Sequence, residues 1–387
     1  MLKSIHHKGK TFTLGILGGG QLAKMLALEA YRLGLNVAII EKEAQSPAGD
    51  MTKLDFAEGW NNEIALQNFI EASDIITLEN EFIDPEIIEK IEQKRNVYPT
   101  SKTVRLVQDK FIQKSTFKGA GVAVPEFQLI QGFDDIIDFT SRYGYPAVIK
   151  SRKFGYDGYG NATVFNEDEV RTAMQRFSSD TQRKDVYIES FVDFTKELAV
   201  MVVRNNAGDI AVYPCVETIQ YRHICHSVIA PAEIDEKLRN EAKEIAVACV
   251  ESIDGIGIFG IEMFLTKDKK ILVNEIAPRP HNSGHYTIEA CYTSQFENCI
   301  RAVCDLPLGS TNMITPAAVM INLLGTRDGS GVPSSVADVL KHPKAHLHLY
   351  NKKTSRVGRK MGHITALGST QTEAYNLAKS ASDSIEW

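Results

Sequence analysis

Residues 258–276 read Ile258-Phe-Gly-Ile-Glu262-Met-Phe-Leu-Thr-Lys-Asp268-Lys269-Lys-Ile-Leu-Val-Asn274-Glu275-Ile276. Two apolar runs flank a polar turn, which predicts a β-hairpin. A two-residue loop at Asp268-Lys269 sets Glu262 directly opposite Glu275. Opposed side chains have Cβ atoms about 5 Å apart, and like charges there repel. Acids inside apolar strands are costly unless paired or bound to metal. A divalent cation removes both difficulties, Asn274 adds a third oxygen, and hard oxygens suit Mg²⁺. The competing reading is a solvated face with two unrelated acids, and a longer turn would break the register.

Upstream, Lys150 ends an apolar strand at 147–150 and is followed by Gly155-Tyr156-Asp157-Gly158-Tyr159-Gly160. A lysine on a strand beside a glycine-rich flap can hold nucleotide phosphates, with charge from one side and backbone amides from the other. No G-x-x-x-x-G-K-[ST] loop exists in the chain, which excludes a P-loop NTPase. The surrounding texture is antiparallel: strands at 186–189, 197–204 and 210–213, the last two joined by a turn at 205–209. Helices are expected at 235–252 and 283–303, with a connector at 305–309.

The N-terminal part alternates strands (13–17, 36–40, 75–78) with helices (21–33, 85–93), as parallel sheets do. Gly18, Gly20 and Ala23 form G-x-G-x-x-A between the first strand and helix, and Glu41 follows 23 residues after Gly18. That spacing suits a dinucleotide site; a tight turn or a substrate loop are the other readings.

The 387 residues carry 43 Lys plus Arg against 49 Asp plus Glu, a net charge of −6. This sign argues against nucleic acid or an anionic membrane as partner. Yet residues 339–372 hold seven Lys or Arg, four of the ten histidines and no acid. A cationic segment in an acidic chain suits a phosphate monoester. No apolar run approaches the roughly eighteen residues of a spanning helix. The first dozen residues lack the apolar core of a secretory signal. Six cysteines without a C-x-x-C pair read as reduced thiols, with Cys291, Cys299 and Cys304 on or just past the expected 283–303 helix. A cytoplasmic enzyme or binding protein is expected.

Taken together, these motifs resemble the ATP-grasp superfamily, and within it the 5-(carboxyamino)imidazole ribonucleotide synthases of purine biosynthesis. The resemblance runs from about residue 13 to the tail. It rests on Gly18-Gly-Gly-Gln-Leu22, Lys150 with Gly155-Tyr-Asp-Gly158, and Asn274-Glu-Ile-Ala-Pro-Arg279. His281-Asn-Ser-Gly-His285, Ser294-Gln-Phe-Glu297 and Arg359-Lys360-Met-Gly-His363 complete it. The implied fold mixes α/β and α+β: an N-terminal parallel domain (1–120), an ATP-grasp domain (121–310, lid about 126–195) and a small β-rich C-terminal domain (311–387).

The resemblance implies ATP and Mg²⁺ as cofactors, with 5-aminoimidazole ribonucleotide and bicarbonate as substrates. It assigns Arg105 and Lys150 to nucleotide phosphates, and Gly155, Tyr156, Asp157, Gly158, Tyr159, Gly160 and Asn161 to the flap over them. Glu189, Ser190, Phe191 and Val192 resemble the adenine-reading hinge, and Glu197 the ribose ligand. Gln220 stands where the family often has a histidine. Glu262 and Glu275 match metal ligands beside Asn274. Tyr156, Asp157 and Arg279 match residues near the reacting groups. Gln21, Leu22, Glu79 or Glu81, His281, Asn282 and Ser283 match ribonucleotide contacts, and Lys352, Arg359 and Lys360 its 5-phosphate site. A homodimer is implied by the resemblance alone. The competing classes are a formate-dependent glycinamide ribonucleotide transformylase of the same fold, an NAD-dependent oxidoreductase, and a nucleotide-binding regulator without turnover.

Overall fold

The computed structural model describes residues 6–7, 10–155, 160–180, 182–183 and 185–387. Three sheets organise it. The N-terminal sheet is parallel, ordered Leu54–Phe56, Asn36–Ile40, Thr13–Leu17, Ile75–Leu78 and Val97–Tyr98. Thr13–Leu17 and Ile75–Leu78 are buried at every position, as strands covered on both faces must be. Helix Gln21–Arg32 covers one face through Leu22, Ala23, Met25, Leu26, Ala27 and Ala30.

A small antiparallel sheet follows, ordered Asn161–Val164, Ala147–Ser151, Val186–Ser190 and Phe127–Leu129. The third sheet has nine antiparallel strands. It runs from Ile271–Ala277 and Gly257–Thr266 through Phe194–Arg204, Val216–Tyr221 and Ile224–Ala230 to Ala317–Leu324, Lys360–Gly368 and Ala345–Leu349. Ile210–Val212 joins it beside Phe194–Arg204 through the expected turn, closed by the Asn205 N–H on the Asp209 carbonyl at 3.0 Å. The C-terminal strands are therefore an extension of the central sheet, and helix Gln371–Ser382 packs its Ala374, Ala378 and Ala381 against them.

One expectation needs correction. The 283–303 segment is not a continuous helix: it breaks into a tight turn at Asn282–Gly284 and helices Thr287–Ala290 and Gln295–Val303. The break lies at 291–294, where Cys291 bridges to Met313 and Ser294 caps the next helix by accepting from the Glu297 N–H. Only Cys299 of the three expected cysteines lies inside a helix. None of the six cysteines is in a disulfide; five are buried and Cys225 is half-buried.

Candidate active site

One face of the nine-stranded sheet gathers the acids. Glu262 lies opposite Glu275 on one neighbouring strand and Ala199 on the other. Glu197, two residues from Ala199, therefore sits diagonally across on the same face. The register arises differently from the expected one. The loop has three residues, 267–269, closed by the Thr266 N–H on the Lys270 carbonyl at 2.9 Å, with Lys269 at φ 61°. That loop leaves the pairing one residue out of step up to Met263 and Val273, and a bulge at Asn274 then brings Glu275 opposite Glu262.

The two carboxyls differ sharply. Burial, then the charges of Glu275 and Glu197, hold Glu262 well above the usual carboxylate range. Burial would raise Glu275 too, but the paired Lys110 ammonium holds it below that range. Glu197 is pushed up by burial and held by a hydrogen bond with Gln220, so those two assigned nucleotide contacts are adjacent.

The small sheet supplies the cation. Lys150 pairs with buried Glu189 and donates to Asn274 Oδ1 at 3.2 Å, linking the two sheets. Glu189, expected to serve through its backbone, also clasps a second lysine: Lys114 Nζ lies 3.2 Å from its carboxylate. Lys114 further donates to the carbonyl of Asn274 at 3.0 Å. Burial depresses Lys114 to about 8, against the pull of Glu189. Lys110 and Lys114, one turn apart on helix Lys110–Gly119, were missed by the sequence reading. Their i, i+4 spacing was the available signal.

Ser190 ends its strand with its N–H on the Glu126 carbonyl at 2.8 Å, and Phe191 and Val192 then lead across to the large sheet. Gly155, Gly160 and Asn161 flank the flap. Gly160 has φ 92°, and a Cβ there would meet Ser151 Oγ at 2.4 Å. Tyr156, Asp157, Gly158 and Tyr159 lie outside the described residues. Arg105 is exposed and pairs with Glu89 at 2.5 Å.

The glycine loop faces acids. Gly19 N–H donates to Glu41 Oε2 at 3.2 Å, and Glu79 accepts from the Gly20 backbone. Two carboxylates on these amides oppose a dinucleotide pyrophosphate, so that reading is dropped. Glu81 is engaged by Arg279 at 2.7 Å, whereas Glu79 Oε2 meets no hydrogen-bond partner among the described residues. Burial raises Glu79 to about 7, with Arg279 and Lys352 near enough to oppose the shift. Glu79 thus keeps a buried oxygen without a hydrogen-bond partner among the described residues, while one oxygen of Glu81 is taken by Arg279.

Around it stand the cations of the tail. Burial and the neighbouring Arg359, Lys360 and Arg356 depress Lys352 to about 8. Arg359 donates to the Thr354 carbonyl and hydroxyl, both at 2.8 Å. Arg356 was not singled out from sequence. Lys360 also acts on Glu262 and His281, so this cluster borders the acid pair. His281 Nε2 is 3.4 Å from Glu262, and its Nδ1 is 2.8 Å from the Ser283 hydroxyl. Asn282 exchanges amide hydrogen bonds of 3.0 and 2.6 Å with Asn322, another residue missed from sequence. Gln21 is partly exposed at the helix start, but the Leu22 side chain belongs to the core.

A lysine-bearing lid sheet set against a carboxylate-bearing sheet, with a nucleotide hinge between them, defines an ATP-grasp ligase. Residues 115–296 match the ATP-grasp domain, 11–108 the ribonucleotide synthetase preATP-grasp domain, and 318–376 the phosphoribosylaminoimidazole carboxylase C-terminal domain. The N5-carboxyaminoimidazole ribonucleotide synthase of Bacillus subtilis is 36% identical over 96% of this chain and 95% of its own. The phosphoribosylaminoimidazole carboxylase of Candida albicans is 41% identical over 94% of this chain; the match spans 65% of that longer relative. The structure of N5-carboxyaminoimidazole synthase from Aspergillus clavatus, in complex with ADP and 5-aminoimidazole ribonucleotide, superposes with a TM-score of 0.86 at 32% identity, covering 96% of this chain and 98% of that one. The chain belongs to the N5-carboxyaminoimidazole ribonucleotide synthase family of ATP-grasp ligases.

Proposed function

We propose that the chain carboxylates the amine of 5-aminoimidazole ribonucleotide with bicarbonate, consuming ATP. One observation carries this reading: a cluster of Lys352, Arg356, Arg359 and Lys360, in which burial and then the neighbouring cations lower Lys352, borders the acid pair. A dianionic phosphate monoester suits such a cluster, which supports a ribonucleotide bound beside the nucleotide.

Bicarbonate has no good leaving group. Transfer of the γ-phosphoryl group to its oxygen gives carboxyphosphate and ADP. The amine nitrogen then bonds to the carbonyl carbon, phosphate departs with the C–O electron pair, and the nitrogen gives up a proton. The chain's contribution is positioning and charge stabilisation. Lys150 and the flap hold phosphates, Glu189 to Val192 with Glu197 and Gln220 hold the nucleoside, and Glu79 with Asn282 orients the ribonucleotide. Asp157 and Tyr156 are assigned to the reacting groups.

Mg²⁺ fits the donor set. Glu262 and Glu275 face one another and do not ionise together unaided, which a divalent cation would relieve. Among the described residues no group of three or more His, Cys, Asp or Glu is arranged for a metal. The remaining positions would thus fall to Asn274, water and phosphate oxygens, as this ion prefers. Bound there, it would neutralise developing phosphate charge.

No helix among the described residues is long and apolar enough to cross a membrane. A cytoplasmic homodimer is the proposed setting, checked by cell fractionation and sedimentation. The deciding assay is ADP release with each substrate pair. Turnover is expected with aminoimidazole ribonucleotide plus bicarbonate. Turnover only with glycinamide ribonucleotide plus formate would reverse the reading.

A further inference from the structure

The stretch Ser294-Gln-Phe-Glu297 has no part in the chemistry above, yet it is almost wholly enclosed. Ser294 caps helix Gln295–Val303, Phe296 fills the core, and Glu297 pairs with Arg32 and Arg301. Gln295 is different: it is 0% exposed and its polar atoms point at the loop that carries His281, Asn282 and Ser283.

Gln295 Oε1 accepts from the His281 N–H at 3.0 Å, and Nε2 donates to the His281 carbonyl at 2.8 Å. The side-chain amide thus pairs with His281 as a neighbouring strand would. The second Nε2 hydrogen reaches His285 Nδ1 at 2.9 Å. An amide nitrogen only donates, so His285 Nδ1 must accept and its proton sits on Nε2. Thr287 secures the other side of the loop: its hydroxyl donates to the Gly284 carbonyl at 2.6 Å and accepts from the Gln295 N–H at 2.9 Å. The fit is close, since a Cβ on Gly284 would meet Gln295 Oε1 at 2.5 Å.

We propose that Gln295 is a positioning residue for the ribonucleotide: its amide clamps residues 281–285 at both ends, and so fixes Asn282 against Asn322. Loss of the clamp leaves the His281 N–H without its acceptor and the His281 carbonyl with the Gly284 N–H alone, at 2.9 Å, so the loop shifts to satisfy the orphaned donor. The acid pair is set by strand pairing, and the loop meets it through the His281 side chain, 3.4 Å from Glu262, rather than through the clamped backbone. The defect therefore falls on the ribonucleotide and spares the nucleotide.

The proposal rests on the functional reading above, and its test separates the two. Gln295→Leu is expected to raise KM for aminoimidazole ribonucleotide at least tenfold, with KM for ATP within about twofold. Gly284→Ala, which displaces the amide without removing it, should reproduce the same split, and it decides the matter alone if Gln295→Leu does not fold. Equal changes in both KM values, or none for the ribonucleotide, would overturn the proposal. A wild-type chain inactive on aminoimidazole ribonucleotide would refute the functional reading instead. The clamp is then judged without substrate, by nitrogen NMR of His285. The wild type should show the Nε2–H tautomer, and Gln295→Leu should shift Nδ1; an unchanged spectrum would overturn the clamp.

Discussion

Glu79 carries one buried oxygen that accepts from nothing in the described structure, and its carboxyl is raised to about 7. The unfolded chain ionises this group near 4.5, so the fold loses stability as pH rises from there through about 7. Glu79→Gln should therefore stabilise the ligand-free protein at pH 8 by about 1–3 kcal/mol and leave it unchanged near pH 4. The same change should raise ribonucleotide KM tenfold or more. A thermal melt at both pH values checks the first half, and an unaltered KM would remove Glu79 from the site. Lys352, at about 8, gives a second loss on rising pH, this time in binding: ribonucleotide affinity should hold up to that pH and fall above it, as the ammonium deprotonates. Lys352→Met should lack that alkaline limb; its survival in the variant would assign the titration elsewhere. At this scale the sequence was partly legible. Glu262 and Glu275 announced themselves as charges in apolar strands, and Glu79 was separable from Glu81 only by knowing that Arg279 takes Glu81. Lys110 and Lys114 stayed hidden because their partners lie far away in sequence, on other elements.

The hairpin shows how an element can satisfy two neighbours at once. A regular ladder from its three-residue loop would set Asn274 opposite Glu262; the bulge sets two residues against one. Asn274 can then meet Lys150 and Lys114 while Glu275 meets Lys110 and Glu262. The sequence reading reached the correct facing pair through a shorter turn, since neither the extra loop residue nor the compensating bulge has a local signature. Lys269 pays for the turn with φ 61°, a conformation that glycine adopts without strain. Lys269→Gly is expected to stabilise the protein by about 0.5–1 kcal/mol in chemical denaturation, with turnover unchanged. A loss of stability would mean that the side chain, not the backbone, dominates there. The segment after the hairpin was misread as a long helix because its apolar residues keep helical spacing. What interrupts it is the placement of Gln295 and Thr287 against the loop, a tertiary requirement.

For the molecule as a whole, the continuous sheet matters most. Ala317–Leu324 pairs with Ile224–Ala230, so the C-terminal strands and the strands of the nucleotide site share one ladder. The cationic cluster of the tail and the acid pair are thereby held in one framework. Removing residues 311–387 would bare the edge of Ile224–Ala230, including buried Val228 and Ala230. Exposed apolar edges recruit other chains. The truncated protein should elute as aggregate in size-exclusion chromatography with light scattering; a monodisperse, ADP-binding fragment would contradict this. The alternation of the N-terminal sheet was readable strand by strand, because parallel strands buried on both faces are simple apolar runs. That the tail joins the central sheet was not, since strand order across domains leaves no periodic trace. The cysteines give the framework a practical use. Burial pushes Cys215, Cys249, Cys291, Cys299 and Cys304 up to about 12, far from thiolate chemistry at neutral pH. Cys225 is half-buried, and its carbonyl accepts from Asn322 at 2.8 Å, the partner of Asn282. Mild alkylation should thus mark one position in six, and a fluorophore there would report ribonucleotide occupancy without any engineered label site.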